Sequence, residues 1–78
     1  MKTMAIIQGG TSGMGLATAH RLAARGIPLV LIGRNPDKLA SARAELEKRH
    51  QAEVETWQAD VSRPDDVQGL VDRIANLD

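Results

Sequence analysis

The sequence predicts an α/β fold, a parallel sheet layered with helices, on three observations. Compact apolar runs occur at residues 3–8 and 27–32, and a shorter alternating segment at 54–58, each of a length that suits a strand. A stretch with apolar residues at helical spacing follows each run, and the connections are short. Alternation of this kind gives parallel strands, and right-handed crossovers set them in the order 3-2-1 within a three-layer βαβαβα arrangement. Residues 1–78 read as a single domain, with no internal repeat, low-complexity tract or interdomain linker.

The first run, Thr3 to Gln8, ends at Gly9-Gly10 and suits a strand buried on both faces. From Gly13 to about Arg25, Leu16, Ala19, Leu22 and Ala23 recur at helical spacing, and Gly26 supplies a left-handed stop. Ile27 to Ile32 forms the second strand, with Pro28 tolerated at its start and Gly33 at its end. Asn35 followed by Pro36 has the form of an N-cap with proline at the first helical position, and Asp37 adds favourable negative charge. The helix runs through Leu39, Ala42 and Leu46 to about His50, and residues 51–53 turn the chain. Val54 to Gln58 is the third strand, ending at Ala59-Asp60. Ser62 is expected to cap a third helix, with Pro64 in its first turn, Asp65 and Asp66 at its positive end, and Val67, Leu70, Val71, Ile74 and Leu77 along one face.

Bulk composition narrows the function classes. A chain 42% hydrophobic and 26% charged is globular rather than disordered or fibrous. Its core must be aliphatic, because Trp57 is the single aromatic residue and belongs to that core or to an interface. Ten basic residues balance ten acidic ones, so no net field attracts nucleic acid or an anionic membrane, and any anion binding must be local. With no cysteine there is no disulfide, thiolate metal site or cysteine nucleophile. The longest apolar stretch falls far short of the ~20 residues that span a bilayer, and the four apolar residues 4–7 are too few for a signal peptide, so a cytoplasmic location is expected.

The segment with chemistry in it is Gly9-Gly10-Thr11-Ser12-Gly13-Met14-Gly15, between the first strand and the first helix. A diphosphate needs backbone N–H groups aimed at it from close range. A turn without Cβ atoms at a helix N-terminus supplies donors, approach and positive dipole together. Thr11 and Ser12 add hydroxyls, and Gly15 lets the helix pack tightly on the strand. The plain alternative is that these glycines only make a tight turn. Their spacing, Gly-x-x-x-Gly-x-Gly, departs from the general Gly-x-Gly-x-x-Gly dinucleotide pattern and resembles that of the short-chain dehydrogenase/reductase family, whose fingerprint is Thr-Gly-x-x-x-Gly-x-Gly. Gln8 stands where that family has its threonine. The resemblance extends over the whole chain and implies the N-terminal, cofactor-binding part of a Rossmann-type fold, with Gly9, Thr11, Ser12, Gly13, Met14 and Gly15 at the cofactor.

The end of the second strand bears on which dinucleotide. Enzymes that take NAD carry an acidic residue about 20 residues beyond the turn to bind the adenosine ribose. Here Gly33-Arg34-Asn35 stands instead. A guanidinium can pair bidentately with a 2′-phosphate, and Gly33 leaves room for it, so NADP is the implied cofactor. The family resemblance makes Arg34 the main phosphate partner and Asn35 a lesser one; a solvated surface charge is the alternative role for Arg34. The resemblance also implies that the Asp60 side chain and the Val61 backbone meet the adenine, whereas Asp60 is equally apt as a turn or pre-helix residue. His20, His50, Glu45, Glu47, Asp65 and Asp66 are read as structural or solvated, since no catalytic or metal-ligand spacing surrounds them.

The family's reaction uses a tyrosine, a lysine four residues later and a serine. The chain contains no tyrosine, so catalysis by this polypeptide alone is not expected. In the strand order 3-2-1-4-5-6 the first strand pairs on its far side with a fourth, which the sequence does not include. The exposed edge is expected to recruit a second copy or a complementary fragment. The resulting expectation is the NADP-binding portion of a truncated oxidoreductase that interconverts carbonyls and alcohols when whole. The alternatives are a non-catalytic NADP-binding or sensing module, or an inert fragment.

Overall fold

A run without polar alternation must be covered on both faces, and Leu29-Val30-Leu31-Ile32 is such a run. In the computed structural model, which describes residues 4–76, it lies at the centre of a three-stranded parallel sheet. The elements alternate as β1 (Ala5–Gln8), α1 (Gly13–Ala24), β2 (Leu29–Gly33), α2 (Pro36–His50), β3 (Val54–Gln58) and α3 (Pro64–Ala75). Ala5 to Gln8 pair in register with Leu29 to Ile32, and Leu29 to Gly33 with Val54 to Gln58. The expected strands, helices and sheet order are therefore found. Thr3 and Leu77, placed by pattern in the first strand and third helix, lie outside the described residues.

Alternate residues of β2 serve two cores. Leu29 and Leu31 join Ala19, Ala23, Leu39, Ala42, Leu46 and Val54 beneath α1 and α2. Val30 and Ile32 join Trp57 and Ala59 on the opposite face, with Met4 and Leu70 packed alongside. Leu29, Val30, Leu31 and Leu46 are the largest fully buried side chains, and each stabilises the fold by about 1.5–3 kcal/mol through burial. Trp57 is thus a core residue, and the Arg73 guanidinium caps it, 4.8 Å from the ring centroid.

The helix boundaries follow local chemistry. Asn35 caps α2 as its sequence suggests, its side chain accepting from the Asp37 and Lys38 amides at 2.9 and 3.1 Å. Gly26, at φ +77°, sits in the left-handed region just beyond α1 and donates to the Ala23 carbonyl.

Three expectations are corrected. β1 is not buried on both faces: Ile6 is 38% exposed, because α1 and α2 cover one face only and β1 is the sheet edge. Ser62 is not the cap of α3. Arg63 occupies that position without a side-chain hydrogen bond, and the Ser62 hydroxyl donates instead to Asp60 Oδ1 at 2.6 Å. The apolar stripe of α3 forms but is not buried, with Val67, Val71 and Ile74 each 39–52% exposed. Asp66, Leu70 and Arg73, one helical stripe apart, hold the helix to the sheet.

These two environments predict opposite mutational responses. Leu31→Ala should destabilise the chain by about 2–5 kcal/mol in urea unfolding followed by circular dichroism. Val71→Ser should stay within about 1 kcal/mol of the parent, and equal losses at both positions would contradict the burial described.

Candidate functional site

The carboxyl ends of the three strands open onto a cleft of about 400 Å³, lined among others by Gln8, Gly9, Thr11, Gly33, Arg34, Asn35, Asp60 and Val61. Ligands in open parallel sheets bind at this edge. A second cleft of about 300 Å³ adjoins it between α1 and α2, with Thr11 and Ser12 in its wall. Gly13, Met14 and Gly15 form the first turn of α1 and line neither cleft, and Met14 is 88% exposed.

The turn is held by contacts that leave little freedom. A Cβ on Gly15 would lie 2.2 Å from the Gly9 carbonyl oxygen, so only glycine lets α1 start this close to the end of β1. Gly9 and Gly13 adopt φ of +73° and +58°, where side chains are strained. The Gly9 amide donates to the Ile32 carbonyl at 2.9 Å, which makes it a tie between β1 and β2 rather than a free donor. From Thr11 through Gly15, no amide donates to an acceptor among the described residues. Ser12, the residue before α1, makes no side-chain cap bond either. Unspent amides, an unbonded hydroxyl and the positive helix end therefore lie together in one short segment, the features that an anion cradle needs.

Gly33 differs from the glycines of the turn. Its backbone is not left-handed, and an added Cβ would meet Leu39 at 3.4 Å, an ordinary contact. Neither backbone strain nor a packing clash demands glycine there; a Cβ would pack against Leu39 and the Thr11 methyl group. The N-terminus of α2, by contrast, is closed. Pro36 has no amide hydrogen, Asn35 Oδ1 takes the amides of Asp37 and Lys38, and the Leu39 amide donates to the Asn35 carbonyl. Asn35 Oδ1 is thus spent on the cap, leaving its Nδ2 as the group able to donate outward.

Asp60 serves as the turn residue that its sequence context allows and also borders the cleft. Its Oδ1 accepts from the Ser62 hydroxyl at 2.6 Å and the Ser62 amide at 2.9 Å. The Asp60 amide in turn donates to Asp66 Oδ2 at 2.8 Å, pinning the start of α3. The Ser62 hydroxyl foremost, then its amide, hold the Asp60 carboxyl below the usual carboxylate range, with smaller help from the Arg34 and Arg63 charges and desolvation opposing.

Two features escaped sequence reasoning. Lys38 lines both clefts beside Arg34 and Ser12, and its place at the third position of a capped helix was the available signal. His20, His50 and Glu45 come together across 25–30 residues, with no local signal to reveal it. His20 Nδ1 lies 3.0 Å from His50 Nε2, and His20 Nε2 is hydrogen-bonded to the Glu45 carboxylate. An ionised Glu45 can only accept, so His20 donates from Nε2; where His20 is neutral, His50 must then donate from its own Nε2. This chain of bonds staples α1 to α2. No group of acidic, histidine or cysteine side chains among the described residues is arranged to hold a metal ion.

The short chain dehydrogenase family model matches residues 3–77. The chain belongs to the short-chain dehydrogenase family. A 3-dehydrosphinganine reductase of Arabidopsis thaliana is 38% identical over 72 residues, which are 92% of this chain and 22% of that protein. Among solved structures, a short-chain dehydrogenase from Sphingobium yanoikuyae in complex with NADPH superposes with a TM-score of 0.91 at 35% identity, over 96% of this chain and 29% of that one. The L-sorbose reductase of Gluconobacter frateurii, complexed with NADPH and L-sorbose, gives a TM-score of 0.84 at 33% identity, over 94% and 28%. The chain thus spans under a third of the length of each of these relatives, and the Rossmann-type half expected from the sequence is present.

The Asp60 geometry sets a pH expectation. A carboxyl whose folded value is lowered stabilises the fold above its unfolded value and ceases to do so as pH falls through the folded one. Replacing Ser62 with Ala should move the Asp60 titration upward toward the ordinary carboxylate range, read by NMR of its side-chain carboxyl. An unchanged titration in the variant would show that the hydroxyl is not the cause.

Proposed function

We propose that the chain is the NADP(H)-binding portion of a short-chain dehydrogenase/reductase whose longer protein interconverts a carbonyl and an alcohol. The observation that carries it is the run of unspent amides from Thr11 to Gly15 at the head of α1, next to a cleft whose wall includes Thr11, Gly33 and Arg34. NADPH in the Sphingobium and Gluconobacter relatives supports the same cofactor.

In this reading the amides of residues 11–15 and the Ser12 hydroxyl meet the linked phosphates, while Met14 flanks them at the head of α1. Arg34 pairs with the 2′-phosphate and Asn35 assists through Nδ2. Asp60 and the Val61 backbone meet the adenine on the side nearest α3. Bound there, the cofactor supplies or accepts hydride; the residues of this chain bind and orient it. The tyrosine-centred proton transfer that the family uses has no counterpart in this sequence, which contains no tyrosine.

A cytoplasmic setting belongs to the same proposal; no helix among the described residues is long and apolar enough to cross a membrane. So does association through the free side of β1, supported by its edge position and by the exposure of Ile6. Sedimentation of the chain at rising concentration should give a rising apparent mass, and a constant monomer mass would remove that part.

The cofactor reading is tested by titrating NADP+ and NAD+ against the chain and an Arg34→Asp variant. NADP+ should bind on the order of tenfold or more tighter than NAD+ to the parent. The variant should lose that difference. Equal affinity of the parent for the two dinucleotides, or a preference that survives in the variant, would overturn the assignment.

A further inference from the structure

Three ionisable side chains meet where α1 packs against α2, His20 from the first helix and Glu45 and His50 from the second. The imidazole rings meet edge-on, at 64° to one another, with His20 Nδ1 3.0 Å from His50 Nε2. A contact of that length between two nitrogens needs one hydrogen between them. No hydrogen leaves two lone pairs opposed, and two set one N–H against another. His20 Nε2 is committed to Glu45, so Nδ1 is where that ring gains a further proton.

Counting hydrogens over the four ring nitrogens fixes how many protons the link tolerates. With both rings neutral, His20 carries its hydrogen on Nε2 toward Glu45, and His50 donates from Nε2 to His20 Nδ1. One added proton is accommodated. His20 then donates from both nitrogens, His50 accepts at Nε2 and carries its hydrogen on Nδ1, and the Glu45 carboxylate faces the new charge. A second added proton puts hydrogen on all four nitrogens. The bond between the rings then has no acceptor, and two cations stand with their ring centres 5.2 Å apart.

The surrounding charge opposes that second proton. β1 and β2, which also pack against α1, contain no titratable side chain. On β3, which packs against α2, Glu55 alternates with Val54 and Thr56 and so lies on the face of Trp57. Arg21 and Arg25 near His20, and Lys48 and Arg49 before His50, are all cations. Of the acidic groups on α2 and the turn after it, Glu45 is bonded to His20, Glu47 is paired with Arg43, Asp37 lies in the first turn, and Glu53 is engaged as well.

We propose that His20, His50 and Glu45 form an acid-sensitive clasp between α1 and α2, closed with up to one added proton and opened by a second. Glu45 also lines the groove whose wall includes Thr11 and Ser12, so opening the clasp loosens the groove beside the glycine turn. The device depends on the contact between the helices and not on what the main cleft binds.

Urea unfolding of the parent and of His50→Gln, followed by circular dichroism at about pH 7.5 and about pH 5, on either side of the ordinary histidine range, tests the clasp. A glutamine amide can turn to donate to His20 Nδ1 or to accept from it and does not titrate, so the variant keeps the link at both values. Ionisations elsewhere, Asp60 included, act alike in the two proteins. The unfolded parent takes up two protons where the closed clasp takes one, so its stability falls as pH falls. Its folding equilibrium constant should drop on the order of tenfold more than that of the variant, which is what one hydrogen bond is worth; parallel losses in the two proteins overturn the proposal. The parent alone gives a second readout, ring-nitrogen NMR together with amide exchange along α1. Both imidazoles should become fully protonated only as the α1 amides beyond His20 lose protection, and full protonation with that protection unchanged overturns the clasp as well.

Discussion

The structure depends on one close approach, the start of α1 lying against the Gly9 carbonyl with no room for a Cβ on Gly15. Moving α1 outward by the width of a methyl group would loosen Ala19 and Ala23 from the Leu29 and Leu31 face of the sheet. It would also shift the first-turn amides away from the strand ends. Packing and anion geometry are thus the same constraint at this point. The Gly9 amide adds the lateral tie, since its bond to the Ile32 carbonyl locks the turn to the last residues of β2. Gly33 and Arg34 follow immediately in the chain, so the bond that shapes the turn also brings Arg34 into the same cleft wall.

Two helices begin at this mouth and are treated in opposite ways. The first turn of α1 keeps its donors unspent, at the expense of an uncapped helix end. The first turn of α2 satisfies every donor internally through Asn35 and Pro36. The first arrangement suits backbone recognition of a group common to all dinucleotides. The second leaves side chains to distinguish among them, and side chains are what substitution can vary without disturbing the fold.

Much of this was legible in the sequence because the causes are local. The unbroken apolar run of β2, the Asn35-Pro36 cap and the Gly9 to Gly15 turn each carry their chemistry within a few residues. Ser62 misled for an equally local reason: Asp60, two positions earlier, competes for its hydroxyl and wins at 2.6 Å. The remaining differences are tertiary. Whether β1 is covered depends on where α3 lies, and the rotation of α3 depends on Asp66, Leu70 and Arg73 finding partners on other elements. The His20, His50 and Glu45 contact joins residues that no spacing rule links, and Lys38 gains meaning only when its distance from Asn35 is converted into a shared cleft wall.

The light attachment of α3 has a consequence for how the molecule breathes. One carboxylate, one leucine and one guanidinium over Trp57 hold a helix of twelve residues, whereas α1 and α2 share a continuous aliphatic core. Opening free energies in such a structure form a gradient, lowest where buried apolar contact is least. The third helix is then expected to be the first cooperative unit to detach, with amide hydrogen exchange along it ahead of that in β2. The Asp60 amide is bonded to Asp66 of that helix, so the wall at Asp60 and Val61 would loosen with it while the glycine turn, tied to β2 through Gly9, would not.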